Sequence, residues 1–267
     1  MRVTAPNSAR DTQHPGYPFT LGVDIGGTFL KAAVLDCNGV IVAERVKSPT
    51  PKPATPAAVI EAIRQLTAPF PPYDRISIGF PGVVKGGAVS TAPNLGTNFW
   101  SGYHLVNAMA ERFGVPVRML NDAAVGGLGV AAGDGLECVI TLGTGVGCAL
   151  FRGRKLLLHL EFGQHLRGDK TYDRFIGQAA LDEVGLEVWN DRVRESIETV
   201  INLTCCDTLY VGGGNARKIT FGLPPQVKTV PNAAGVTGGV RLWEPEMDDF
   251  FIGEANAQWP PQTARAP

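Results

Sequence analysis

A chain of 267 residues, 44% hydrophobic and 18% charged, can bury a substantial core as two modest lobes or one large α/β unit. Its formal net charge of -1 and pI near 6.4 lack the basic excess of a protein that works on nucleic acid or anionic lipid, which leaves small-molecule chemistry as the leading class. Five cysteines without a C-x-x-C pair read as reduced, packed thiols and predict a cytoplasmic protein, and no apolar run is long enough to cross a bilayer.

Residues 1–18 are polar with proline and asparagine and read as a flexible tail. From 19 to 46 the runs FTLGVDI, FLKAAVLD and VIVAERV predict a three-strand meander, with Asn38-Gly39 as a tight-hairpin signal. Asp24 closes the first run and is followed by Gly26, Gly27 and Thr28. Paired glycines let backbone N–H groups approach an anion, and a plain turn that needs positive φ is the competing reading. Helical spacing follows in AAVIEAIRQL from Ala57 and HLVNAMAERF from His104, alternating with the strands RISIGFPG from Arg75 and PVRMLND from Pro116.

Asp122 ends that last strand and opens the small-residue stretch AAVGGLGVAAG, so it is expected at a strand end, at the mouth of a cleft. A carboxylate there can take a proton from an attacking hydroxyl, with Asn121 beside it to hold the substrate; capping of the helix by Asp122 is the other reading.

The second half reopens in the same way. CVITLGT, GVG, CALFRG and RKLLLHLE, over 138–161, predict another meander with Gly143, Thr144 and Gly145 at the turn. A helix over VWNDRVRESIETVINL from Val188 and a strand TLYVGGG from Thr208 follow, the latter running into Gly213, Gly214 and Asn215. The reading is α/β with two lobes, 19–134 and 135–244, a ligand cleft between them, and a Pro-rich, acidic tail over 245–267; the C-terminal helix is allowed to pack on the first lobe. No G-K-[ST] follows either glycine turn, and a strand rather than a helix comes next, which excludes a Walker P-loop and a dinucleotide fingerprint. Basic residues Arg152, Arg154 and Lys155 after the second glycine turn, and Arg217 and Lys218 after the triple glycine, are candidates to hold a polyanion.

Taken together and in this order, DIGGT, the FPG at 80–82, Asn121-Asp122, LGTGVG and YVGGGNARK resemble the ROK family of sugar kinases over about Leu21 to Trp243, most nearly its short bacterial polyphosphate or ATP glucokinases. The resemblance implies an actin-like (ribonuclease H-like) fold, Mg²⁺, ATP or polyphosphate as donor, and phosphoryl transfer to the 6-hydroxyl of glucose. It implies Asp122 as base, Asp24 as holder of a metal-bound water, and Gly26, Gly27, Thr28, Gly143, Thr144 and Gly145 on phosphate. Lys31 stays open between a phosphate contact and a solvated strand residue. Gly213, Gly214 and Asn215 are expected on a nucleotide or as a plain cap of their strand, and Asn121, Glu161 and Asp173 on the sugar; His165, one place late, reads equally as a sugar contact or a surface histidine, and Asn94 as a sugar contact or a turn residue. Many members follow an E-x-G-H stretch with a cysteine-rich zinc loop. Here Glu161-Phe162-Gly163-Gln164-His165 puts Gln164 in the histidine place and no cysteine follows, so no structural zinc is expected. A homodimer is expected, without nucleic-acid or membrane partners. A kinase of mannose, fructose or an N-acetylhexosamine and a non-catalytic sugar sensor are the alternatives; a repressor lacks room for its DNA-reading module before DIGGT, and a filament-forming ATPase lacks a reason for Glu161.

Overall fold

The computed structural model describes residues 14–230 and 234–251. Two five-stranded sheets carry the chain, and they have the same order. The first contains β1 (Thr20–Ile25), β2 (Phe29–Leu35), β3 (Val46–Pro49), β4 (Arg75–Phe80) and, beyond a small hairpin of β5 (Val84–Lys85) and β6 (Ala88–Val89), β7 (Val117–Asn121), in the order β3-β2-β1-β4-β7. The second contains β8 (Leu136–Leu142), β9 (Val146–Arg152), β10 (Lys155–Leu160), β13 (Thr208–Gly212) and β14 (Val227–Thr229), in the order β10-β9-β8-β13-β14. A further hairpin, β11 (Leu166–Arg167) with β12 (Lys170–Thr171), lies between them in sequence. In each sheet an antiparallel meander passes into parallel strands. The duplicated plan read from the glycine turns is therefore the topology itself.

Helix α1 (Pro56–Thr67) starts where Thr55 accepts a bond from the Ala58 N–H and Pro56 needs no partner, and it buries Val59, Ile60 and Ile63 against the first sheet. After the short α2 (Thr97–Trp100), α3 (Leu105–Phe113) ends on Gly114 in the left-handed conformation, φ 69°. In the second lobe α5 (Tyr172–Ile176) leads into α6 (Gln178–Thr204), which begins ten residues before the predicted helix. Gly185, at φ 78° and ψ 172°, breaks it, and this glycine hides the continuity from helical spacing.

Between the sheets lies α4 (Asp122–Leu128), whose Ala124, Val125 and Leu128 pack with Val139, Ala149, Phe151 and Tyr210 of the second sheet. Its small residues are a packing requirement: a Cβ at Gly127 would meet the Phe151 ring at 2.2 Å. Glu137, fully buried at the start of β8, accepts bonds from the N–H groups of Ala132 and Gly133 and from the Tyr210 hydroxyl, so the lobe connection is folded onto the second sheet.

Two expectations are corrected. The third meander strand is not VIVAERV: residues 40–45 contribute one bridge, Ile41 to Leu35, and the strand forms at Val46–Pro49 instead. Val40, Ile41 and Val42 stay exposed because the tight turn on Asp36 and Gly39 brings them outside the covered part of the sheet. The second correction concerns the C-terminal end. The chain returns to the first lobe through α7 (Ala234–Thr237), the 3-10 turns Gly238–Trp243 and Pro245–Phe251, so the tail does not start at 245. Ser77 donates to the Gly239 carbonyl and accepts from the Trp243 indole, Arg118 pairs with Asp248, and Met247 and Phe251 are buried. At the other end, Gly16 already accepts from the Cys37 N–H; the rest of both expected tails, 1–13 and 252–267, lies outside the described residues.

Candidate active site

The hairpin turns β1–β2 and β8–β9 meet at the ends of the two sheets around a cavity of about 510 Å³. The Thr28 and Thr144 hydroxyl oxygens lie 3.1 Å apart, which joins the two turns across the cleft. None of Gly26, Gly27, Gly143 and Gly145 has a positive φ, so conformational freedom is not what these positions need. They need space: a Cβ would stand 2.7 Å from the Phe29 carbonyl oxygen at Gly26, 2.9 Å from the Asn94 Cβ at Gly27, and 2.8 Å from the Asp173 carboxylate at Gly145. At Gly143 a Cβ would meet nothing within 4 Å, and this residue borders the open cavity. The backbone N–H groups of Gly27, Thr28, Thr144 and Gly145 make no hydrogen bond within the described residues. Four free amide donors around one cavity form a place for an anion.

Asp122 sits half-buried at the cavity wall, at the junction of β7 and α4. The helix cap is its neighbour: the Asn121 side-chain oxygen accepts from the Ala123 and Ala124 N–H groups, and its amide donates to the Gly82 carbonyl. Asp122 accepts one bond, 2.8 Å from the Ala123 N–H to Oδ1, and Oδ2 accepts none among the described residues. Burial pushes its pKa up to about 7, with the nearby carboxylates of Asp24 and Glu161 adding to the rise and the Ala123 N–H and Lys31 opposing it. Asp24 and Lys31 face each other across β1 and β2, with Nζ 2.7 Å from Oδ2, so Lys31 is a paired residue of the cavity wall and not a solvated one.

Glu161 borders the cavity from the start of the 3-10 turn Phe162–Gln164, with Oε1 3.6 Å from His159 Nε2. That turn aims Gln164 into the cavity and leaves His165 outside it, exposed, with its own N–H bonded to the Phe162 carbonyl. His165 is therefore not brought to the site; the 3-10 geometry turns consecutive residues about a third of a circle apart, and the cavity side falls to Gln164. Asp173 reaches the cavity, and both its oxygens are held, Oδ1 by the Val146 N–H and Oδ2 by the Gln164 amide, at 2.7 Å each. Burial raises its pKa against these two bonds. Asn94, Gly213, Gly214 and Asn215 also line the cavity, the last with its side chain on the Gly143 carbonyl.

Sequence reading missed Gln178, Val230 and Gly235, which line the same space. Gln178 opens α6 and donates its N–H to the Gly143 carbonyl, and Gly235 lies in a second glycine-rich stretch, AAGVTGG, that was open to notice. The basic group Arg152, Arg154 and Lys155 occupies the β9–β10 turn, six residue steps or about 20 Å along β9 from Val146, and does not line the cavity. Arg217 and Lys218 lie just beyond Asn215 but do not line the cavity.

The ROK family pattern matches residues 20–161. Polyphosphate glucokinase from Mycobacterium leprae (strain TN) is 32% identical over 257 residues, covering 89% of this chain and 78% of its own. Polyphosphate glucokinase from Mycobacterium tuberculosis (strain CDC 1551 / Oshkosh) is 30% identical, covering 88% and 93%. Among solved structures, the inorganic polyphosphate/ATP-glucomannokinase from Arthrobacter sp. strain KM superposes with a TM-score of 0.76 at 30% identity, covering 84% of this chain and 97% of that one. The duplicated lobes are thus the actin-like fold of ROK sugar kinases. With the pattern, the fold and the paired glycine turns in agreement, the chain belongs to the ROK family.

Proposed function

We propose that this protein is a glucokinase, which transfers the terminal phosphoryl group of ATP or inorganic polyphosphate to the 6-hydroxyl of glucose. The observation that carries the reading is Asp122: a carboxylate with one oxygen free, a pKa near 7, and a place on the wall of a cavity ringed by unbonded amides. In the proposed reaction the sugar hydroxyl oxygen forms the new bond to phosphorus while its proton passes to the Asp122 carboxylate, and the bond to the donor's leaving oxygen breaks. A base whose pKa lies near the operating pH suits that proton transfer. The amides of Gly27, Thr28, Thr144 and Gly145 take the charge on the phosphoryl oxygens, and phosphoryl transfer asks for little beyond such positioning and neutralisation. Glu161 and Asn94, on opposite lobes, would hold ring hydroxyls.

Asp24 suits Mg²⁺. It offers one carboxylate, 14% exposed, with Oδ2 on Lys31, and Mg²⁺ commonly keeps several waters while taking one or two carboxylates and substrate phosphate. Bound there, the ion would neutralise donor charge. The protein is proposed to act as a cytoplasmic homodimer; among the described residues no helix is long and apolar enough to cross a membrane. A kinase with a broader hexose range is the second reading, supported by the glucomannokinase name of the Arthrobacter relative. A coupled assay of hexose 6-phosphate formation from glucose, mannose, fructose and N-acetylhexosamines, with ATP and with polyphosphate, tests both. No turnover with any pair of substrates would end the kinase reading.

A further inference from the structure

The Asp173 carboxylate is wedged between two backbone turns. On one side it lies against Gly145 and on the other against Gly163; a Cβ on either glycine would come within 2.8 Å or 2.3 Å of its oxygens. Its two oxygens are divided between the same two turns. Oδ1 accepts from Val146, the residue that closes the second phosphate turn, and Oδ2 accepts from Gln164, in the turn that carries Glu161. Hydrogen bonds to a carboxylate are among the stronger ones in proteins, and two at 2.7 Å leave little freedom to rotate.

The surroundings make the same connection. Tyr172 stacks on Phe162 at 4.0 Å and donates its N–H to the His165 carbonyl, which fixes α5 to the Glu161 turn. From the other end of α5, the Gly177 N–H bonds to the Asp173 carbonyl and the Gln178 N–H to the Gly143 carbonyl, which fixes α5 to the phosphate turn. A Cβ at Gly177 would lie 2.7 Å from the Thr144 carbonyl oxygen, so this contact too is backbone on backbone. Acceptor-side turn, α5 and donor-side turn therefore move as one piece, with Asp173 at the joint.

We infer that Asp173 and Gln164 are positioning residues that couple the turn bearing Glu161 to the phosphate-binding amides of Thr144 and Gly145, and that Asp173 is not a direct ligand of the sugar. The inference rests on the reading of the cavity as a hexose kinase site. It assigns Gln164 a reason to stand where many relatives of this family carry histidine: its amide supplies the N–H that Asp173 requires. Ordering of the Glu161 turn by a bound sugar then fixes the Val146 N–H and with it the donor loop. By linkage, a donor would tighten the sugar by the same factor.

Gln164→Leu is the first test, because Gln164 is exposed and its loss leaves the core intact. Hydrogen exchange of the segment 143–147 in the unliganded protein is expected to quicken about tenfold or more, the scale of one strong hydrogen bond. The ATP KM at saturating glucose and the glucose KM at saturating ATP are expected to rise by similar factors, with glucose binding in the absence of donor changed less than about threefold. MgADP binding measured with and without glucose should lose its cooperativity. Gln164→His, which restores a ring N–H, should recover most of each loss, and Asp173→Asn, which keeps an acceptor for Val146, should retain the slow exchange. A rise confined to the glucose KM, with exchange and ATP KM unchanged, would make the pair sugar ligands and overturn the inference, as would quickened exchange that histidine does not repair. Exchange needs no substrate, so failure of the parent to phosphorylate any hexose would sink the kinase reading while the joint is still judged.

Discussion

Asp122→Asn separates the proposed catalytic role of this carboxylate from its cost to the fold. An Asp whose folded pKa is raised from 3.8 to about 7 contributes full stability below pH 3.8 and loses it as pH rises through 7, because the folded state resists ionisation and the unfolded state does not. At 1.36 kcal/mol per pH unit the ceiling is about 4 kcal/mol near pH 8, against less than about 2 kcal/mol at pH 5. Water in the cleft lowers both figures, since the side chain is half-buried. Asparagine keeps the shape and never ionises, so its advantage over aspartate should grow by up to about 2–3 kcal/mol between pH 5 and pH 8. For a chain of this length that is a Tm gap widening by about 5 °C, measured on the ligand-free protein by scanning calorimetry at the two pH values. The same variant should lose at least ~10²-fold in kcat with glucose binding retained, and parent activity should fall about tenfold per pH unit well below pH 7. A Tm gap that does not widen would refute the buried-carboxylate argument, and near-normal kcat would remove Asp122 as base.

Three further variants probe the frame around it. Gly27→Ala should raise the donor KM about tenfold with little change in Tm, because the new Cβ would press the first turn off Asn94 at 2.9 Å; steady-state kinetics and melting together check this. Glu137→Leu leaves the buried Tyr210 hydroxyl without its acceptor and releases the Ala132 and Gly133 N–H groups nearer the surface, and should lower stability by about 1–3 kcal/mol in urea unfolding. Replacing Arg152, Arg154 and Lys155 together by alanine should leave kcat/KM unchanged with ATP and with polyphosphate at low and at near-physiological salt; a loss selective for polyphosphate would bring that distant turn into the donor site.

Which parts of this structure were legible from the sequence follows from the range of the forces involved. The glycine turns, the strands around Asp122 and the amphipathic α1 and α3 are written locally, by alternation, 3.6-residue spacing and turn residues. Their repetition makes the duplicated topology legible without any long-range contact. The third strand of the first meander was misplaced because Val40, Ile41 and Val42 are as β-prone as any run in the chain, and only the sheet's edge decides which segment pairs. Gly185 concealed the first turns of α6 for a related reason, since a broken helix loses its period at the break. The inward turn of Gln164 and outward turn of His165 depend on a 3-10 helix three residues long, below the reach of periodicity. The basic cluster is adjacent to the glycine turn in sequence but a strand's length from it in space, a separation that sequence adjacency hides.

Charge in the cavity ties these results together. Among the described residues four carboxylates line it, Asp24, Asp122, Glu161 and Asp173, and the one cationic side chain in the lining, Lys31, is already paired with Asp24. An anionic donor entering such a space would be repelled unless the site lowers its own charge. Asp122 helps to do so, because burial raises its pKa to about 7 and leaves it partly neutral near that pH. The rest of the attraction would come from the unbonded amides at the two turns, and the proposed Mg²⁺ beside Asp24 would complete it. Amides fixed by backbone geometry grip only the phosphates that reach them, whatever is attached behind. On this account the terminal groups of ATP and of polyphosphate meet the same cavity wall. Discrimination between the two proposed donors would then fall to the stretch from Gly213 to Asn215, where the remainder of a nucleotide would lie and where, among the described residues, a phosphate chain would find no cationic side chain in the cavity lining.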